Sequence, residues 1–109
     1  MRREVVLTDS AAQDLEEIYD YVAEHDAPAK AEYVLGRLAK VIESLAQAPG
    51  RGAHPRELLA IGMREHRELF FKPYRVIYRI VGRKVSVLLI ADGRRDMQSL
   101  LERCLLRGV

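Results

Sequence analysis

The residues with the clearest chemical potential lie in the segment from Tyr74 to Val81, which is rich in β-branched and aromatic side chains. Because alternate residues of a strand share a face, the spacing predicts Arg75 and Arg79 on one face and Tyr74, Val76 and Tyr78 on the other. Arginine binds phosphate and carboxylate through paired hydrogen bonds. The pattern therefore predicts a surface for phosphate or an acidic peptide, extended by basic residues of neighbouring segments: Arg64, Arg67, Lys72, Arg94 and Arg95.

Cleavage of RNA at such a surface would also need a proton acceptor and a proton donor. The candidates near the arginines in sequence are His66, Glu65, Glu68 and Tyr74. A lone histidine on a strand is more often a structural or surface residue than a catalyst, so both interpretations stay open. One cysteine and three scattered histidines do not supply clustered metal ligands. We therefore expect no metal and no other cofactor.

The charge of the chain is divided between its two halves. The net charge is only +2 over 109 residues. Residues 1–48 hold ten acidic and five basic side chains, whereas residues 49–109 hold six acidic and thirteen basic ones, eleven of them arginine. The basic half favours an anionic or acidic partner, although a solvated basic face is the simpler alternative.

The composition also bounds the class of protein. A chain of 109 residues is long enough for one domain with its own core, so we expect a single domain over residues 1–109. Cys104 is the only cysteine, which excludes an internal disulfide and favours a cytoplasmic protein. No apolar segment is long enough to span a bilayer, so we expect no membrane association.

Hydrophobic spacing predicts the elements that must position the arginines. A short strand at Glu4 to Leu7 is followed by an amphipathic helix, and a second helix follows Asp26-Ala27-Pro28 with apolar residues recurring from Ala31 to Leu45. Strands are predicted over Met63 to Phe71, from Tyr74, and over Val85 to Ala91, the last two joined by a Gly82-Arg83 turn. A helix ends the chain, with its apolar positions at Met97, Leu100, Leu101, Cys104 and Leu105.

This order, β-α-α-β-β-β-α, predicts an α+β fold. We expect an antiparallel sheet packed against an N-terminal helical hairpin, with a C-terminal helix. Residues Val85 to Ala91 are apolar on both faces, which predicts a central strand.

Several segments together resemble a known family. They are Leu7-Thr8; Ala12, Asp14-Leu15, Ile18 and Tyr21; Ala31 to Leu45 with Ala48-Pro49 and Gly52; Gly62-Met63-Arg64; Tyr74 to Arg79; and Val85, Ile90 and Arg94-Arg95-Asp96. Over nearly its whole length the chain resembles the RelE/ParE superfamily of toxins from type II toxin–antitoxin modules, and it is most similar to ParE. The resemblance implies the same fold that the spacing predicts.

The superfamily has two main activities: RelE-like members cut messenger RNA in the ribosome, and ParE-like members poison DNA gyrase. By resemblance, Arg75 and Arg95 match the two arginines that the nucleases place around the scissile phosphate. His66 and Glu68 stand where the nucleases carry lysines, and Leu101 stands near their C-terminal aromatic residue or histidine. The likeness to ParE thus implies a gyrase inhibitor that blocks replication by binding. The alternative is a RelE-like ribosome-dependent mRNA endoribonuclease that uses Arg75 and Arg95 with His66 or Glu68.

The resemblance also implies partners. A ParD-like cognate antitoxin would neutralise the toxin, DNA gyrase would be the target, and the toxin–antitoxin complex would be a hetero-oligomer that binds operator DNA through the antitoxin. A third alternative is a decayed module or an adaptor for an acidic peptide. The residues expected to contact the antitoxin or the target are Arg64, Arg67, Arg75, Arg79 and Arg95.

Overall fold

The computed structural model of the chain describes residues 2–106. The elements are β1 (Glu4–Leu7), α1 (Asp9–His25), α2 (Pro28–Ser44), a 3-10 turn (Pro49–Arg51), α3 (Arg56–Leu59), β2 (His66–Phe71), β3 (Tyr74–Val81), β4 (Lys84–Asp92) and α4 (Met97–Leu106). The predicted order is confirmed, with the 3-10 turn and α3 added between α2 and β2.

The helical hairpin begins and turns at the residues that the sequence marks. The Thr8 hydroxyl accepts a hydrogen bond from the Ala11 N–H at 3.1 Å, which satisfies a free donor of the first turn of α1. α2 begins at Pro28, where a missing N–H loses no helical hydrogen bond. The buried residues of α2 are Ala31, Val34 and Leu38, which belong to the predicted stripe.

The four strands form one mixed sheet in the order β1-β4-β3-β2. β2, β3 and β4 pair antiparallel as predicted, and β4 is central, but β1 pairs with β4 in the parallel direction. The α+β class is confirmed, and the parallel β1 refines it, because hydrophobic spacing carries no information on strand direction. Gly82, with φ of +60°, opens the two-residue turn between β3 and β4, as predicted.

The sheet separates two apolar clusters. On one face, Val76 and Tyr78 of β3 pack with the helical hairpin, as the strand alternation predicts. On the other face, Ile77 packs with α3 and α4 through Leu58 and Leu101. Arg75 lies on the same face of β3 as Ile77. The elements that pack on this face therefore limit the exposure of the Arg75 side chain.

Residues 49–57, which we call the edge strap, cover part of the outer edge of β2. The Ala53 N–H donates to the Glu68 carbonyl at 3.2 Å, and the Glu68 N–H donates to the Ala53 carbonyl at 2.7 Å. The Tyr78 hydroxyl donates to the Pro49 carbonyl and accepts from the Gly52 N–H. The strap is therefore fixed to the sheet at several points. It places α3 over the face of β3 that carries Arg75.

Candidate functional site

The nuclease interpretation requires the Arg75 guanidinium to reach a phosphate, whereas inhibition of gyrase by binding does not. In the structure this guanidinium is buried. Its Nη1 and Nη2 donate to the two carboxylate oxygens of Glu57 at 2.9 and 2.8 Å. Its Nε donates to Glu68 Oε1 at 2.7 Å. The residue is only 6% exposed. The prediction that Arg75 and Arg79 share an open basic face is therefore wrong for Arg75. Glu57 and Glu68 bind its guanidinium, and α3, which carries Glu57, covers its side chain.

The electrostatics of this cluster follow from its geometry. The hydrogen bonds from Arg75 lower the pKa of Glu57, and the same bonds to Glu57 raise the pKa of Arg75 above its ordinary range. Gly93 packs on the aliphatic part of the arginine, since a Cβ there would lie 2.8 Å from Arg75 Cδ. The two carboxylates neutralise the Arg75 guanidinium and occupy its donors, so Arg75 itself has little attraction for phosphate.

Two of the four candidate proton-transfer residues, His66 and Glu68, do not form a nuclease site with Arg75. Glu68 is buried in the ion pair just described. His66 is 4% exposed, and its Nδ1 has no hydrogen-bond partner among residues 2–106. Burial, with the nearby charge of Arg79, lowers the pKa of His66 and favours its neutral form. Neither side chain is open to a substrate.

The remaining arginines divide into structural and exposed ones. Arg67 Nη1 donates to the carbonyls of Gly50 and Gly52 at 3.2 and 2.9 Å, so it fastens the edge strap. Arg79 and Arg64 are exposed at the β2–β3 end of the sheet opposite the Lys72-Pro73 turn. Arg95 is exposed as well, but it lines a groove beside α1 rather than the cavity beside Arg75. The two arginines that the nuclease interpretation places together thus line different cavities.

The groove beside α1 has a volume of about 460 Å³ and lies between that helix and the end of β4. Asp14 lies in it, and its Oδ2 accepts a hydrogen bond from the Ile90 N–H at 2.9 Å, which closes the edge of β4 beyond β1. Burial raises the pKa of Asp14. Asp14 is one of the residues that carried the family resemblance, and the structure gives it this strand-capping role.

An aromatic cleft of about 540 Å³ continues this groove past Tyr21 and Tyr74, which line both. Tyr33 lies edge-on to Phe71 with ring centroids 6.2 Å apart, and the guanidinium of Arg37 lies 5.6 Å above the Phe71 ring. Tyr21 and Tyr33 are largely exposed. Tyr33 is not among the residues predicted from the sequence. Its position on the polar side of an amphipathic helix, where a large aromatic side chain is exposed, could have indicated a contact surface.

Within residues 2–106, His, Cys, Asp and Glu side chains form no group of three that could hold a metal ion. That the chain needs no cofactor stays a prediction. No helix in the described part of the chain is long and apolar enough to cross a bilayer.

The sequence profile of the ParE toxin of type II toxin–antitoxin systems (parDE) matches residues 5–97. The chain belongs to the ParE toxin family. Toxin ParE3 of Caulobacter vibrioides is 31% identical to it over 97 residues, which is 89% of this chain and 93% of that toxin. This confirms the RelE/ParE superfamily resemblance and makes the chain a type II toxin of the ParE/RelE family.

Solved structures confirm that the ParE family fold is shared with RelE toxins. A chain of the chromosomal ParDE toxin–antitoxin system from P. aeruginosa aligns with a TM-score of 0.70 at 24% identity, covering 84% of this chain and 96% of that one. A chain of the RelBE2 complex of Mycobacterium tuberculosis aligns at 0.61 and 21% identity, covering 84% and 99%. An arginine double mutant of E. coli RelE in the free state aligns at 0.56 and 15%, covering both chains fully.

Proposed function

We propose that this ParE family toxin inhibits DNA gyrase by binding and thereby blocks replication, and that a cognate ParD-like antitoxin neutralises it. The observation that carries the proposal is the environment of Arg75. A guanidinium that already binds Glu57 and Glu68 is not free to stabilise the charge of a phosphate undergoing cleavage. Family membership and the 31% identity to Toxin ParE3 support the same interpretation.

The exposed arginines are the proposed contacts with the target. Within residues 2–106, no ion pair neutralises the charge of Arg64, Arg79 or Arg95. Such exposed charges speed association with an acidic partner and specify its orientation more than they add affinity. Arg67 and Arg75 would act indirectly, by holding the edge strap and α3 in place.

The proposed antitoxin contact is the aromatic cleft with its adjoining groove. Exposed aromatic side chains next to an apolar floor suit the hydrophobic face of an amphipathic segment that folds on binding. The complex would be a hetero-oligomer that binds operator DNA through the antitoxin, and the toxin would act in the cytoplasm.

The test compares the two activities directly on purified protein. We expect the toxin to inhibit supercoiling by gyrase and to leave ribosome-bound messenger RNA intact. Arg79→Glu should weaken the inhibition, whereas Lys40→Glu, at an exposed position of α2, serves as a matched charge-reversal control. Cleavage of ribosome-bound messenger RNA without any effect on gyrase would overturn the proposal in favour of the endoribonuclease, whose fold this chain shares.

A further inference from the structure

The outer edge of β2 is covered along only part of its length. Both backbone groups of Glu68 bind Ala53, and the His66 carbonyl accepts a hydrogen bond from His54 Nδ1 at 3.0 Å. In an antiparallel ladder every second residue directs its N–H and C=O to the same side, so Phe70 also points both groups outward. Within residues 2–106 these two groups have no partner.

The surroundings of this free position suit a polypeptide. The Phe70 side chain is 54% exposed, which is unusual for a large apolar residue on an edge strand. It borders a cavity of about 320 Å³ that His54, Arg56, Lys72 and Pro73 also line. An unpaired donor, an unpaired acceptor and an exposed aromatic ring are what strand addition requires.

The charges around Phe70 favour an acidic partner. Glu57 and Glu68 are bound to Arg75, and the accessible charges are those of Arg56 and Lys72. The side chain of Arg56 is 90% exposed, and its contact with Glu57 is long, at 3.9 Å. A second copy of this chain is a poor occupant, because symmetric pairing of two such edges would bring like charges together.

We propose that an extended, acidic segment of the antitoxin pairs as an additional strand with the Phe70 end of β2. This rests on the proposed function, in which the same antitoxin occupies the aromatic cleft. Lys72 and Pro73 line both that cleft and the cavity beside Phe70, so a chain leaving the cleft at the β2–β3 turn reaches the free edge directly. The added strand would bind both backbone groups of Phe70 and place an apolar side chain on its ring.

Amide hydrogen exchange tests the proposal on the intact complex. The probe is the cognate ParD-like antitoxin of the proposed function, co-purified with the toxin. We expect the Phe70 N–H to exchange rapidly in the free toxin and to slow by about 100-fold or more in the complex, as a paired amide does in a stable strand. The Glu68 N–H, already bound to Ala53, is the internal control and should change little.

Two variants separate the backbone contact from the charge contact. Phe70→Pro removes a donor that points away from the sheet, so β2 should tolerate it while the dissociation constant rises about tenfold or more. Arg56→Glu combined with Lys72→Glu should also weaken binding, with Arg83→Glu and Lys84→Glu at the β3–β4 turn as the matched control. A complex that forms with unchanged Phe70 exchange and unchanged affinity for Phe70→Pro overturns this inference alone. Failure of the wild-type toxin to bind the antitoxin overturns the proposed function with it.

Discussion

Replacing Arg75 by alanine tests whether this arginine stabilises the fold or acts on a target. The substitution removes three hydrogen bonds and leaves Glu68, which is 6% exposed, as a buried charge without its cation. Removing one member of a buried ion pair costs about 3–5 kcal/mol. We therefore expect Arg75→Ala to lower the melting temperature by about 12–20 °C, given roughly 4 °C per kcal/mol for a domain of this size.

The assay is thermal and urea denaturation followed by circular dichroism, which give the melting temperature and the free energy of unfolding, in parallel with growth arrest after induced expression. Arg79→Ala is the matched control, because Arg79 lies on the same face of the same strand but is exposed, and an exposed substitution changes stability by about 0.5 kcal/mol or less. Arg79→Ala serves as the control for stability only: it should stay folded, and any toxicity that it loses would come from its proposed contact with the target. Arg75→Ala should lose toxicity only as it loses structure.

A combined variant separates lost ion pairing from lost side-chain packing. Arg75→Met with Glu68→Leu and Glu57→Gln removes the cation and both anions together, so no buried charge remains unpaired. We expect this triple variant to be more stable than Arg75→Ala. The reasoning is refuted if Arg75→Ala stays within about 1 kcal/mol of wild type and yet abolishes growth arrest, since the guanidinium would then act on the target.

Two further predictions concern the residues around this cluster. Burial lowers the pKa of His66 below its ordinary 6.5, so the unfolded chain binds that proton more readily, and the free energy of unfolding should decline as the pH falls below about 6.5. His66→Leu should flatten the decline in pH-dependent denaturation, and His25→Gln, an exposed control, should not. Gly52→Ala would place a Cβ 2.8 Å from the Glu68 carbonyl and should cost about 1–3 kcal/mol. Gly36→Ala, in an open position of α2, should instead raise the melting temperature, and equal effects of the two glycine substitutions would contradict this reasoning.

The elements of this fold could be predicted because each depends on neighbours in sequence. The bounds of β3, the Gly82-Arg83 turn and the start of α2 at Pro28 all follow from side chains within a few positions of one another. The parallel pairing of β1 could not be predicted in this way, since it joins Glu4 to Lys84, which are eighty positions apart.

The candidate site was harder to predict for the same reason. Arg75 and Arg79 are correctly placed on one face, but the exposure of Arg75 depends on Glu57, eighteen positions away in a segment for which the spacing predicts no helix or strand. The spacing of carboxylates along the sequence does not indicate that Glu57 on α3 meets Arg75 on β3. Only the packing of α3 against the sheet reveals the ion pair.

The ion cluster also bears on which of the two candidate activities Arg75 can support. Arg75 uses at least three of its five N–H donors on carboxylates, so a phosphate would have to displace Glu57 or Glu68 to reach it. That exchange is unfavourable because either carboxylate, once displaced, would remain beside the incoming anion in a largely buried setting. The same two ion pairs link α3 and β2 to Arg75 on β3, which helps to fix the edge strap and the free end of β2 beside Phe70. In the proposed function, Arg75, whose position resembles one in a nuclease site, would therefore shape a binding surface rather than contact a phosphate.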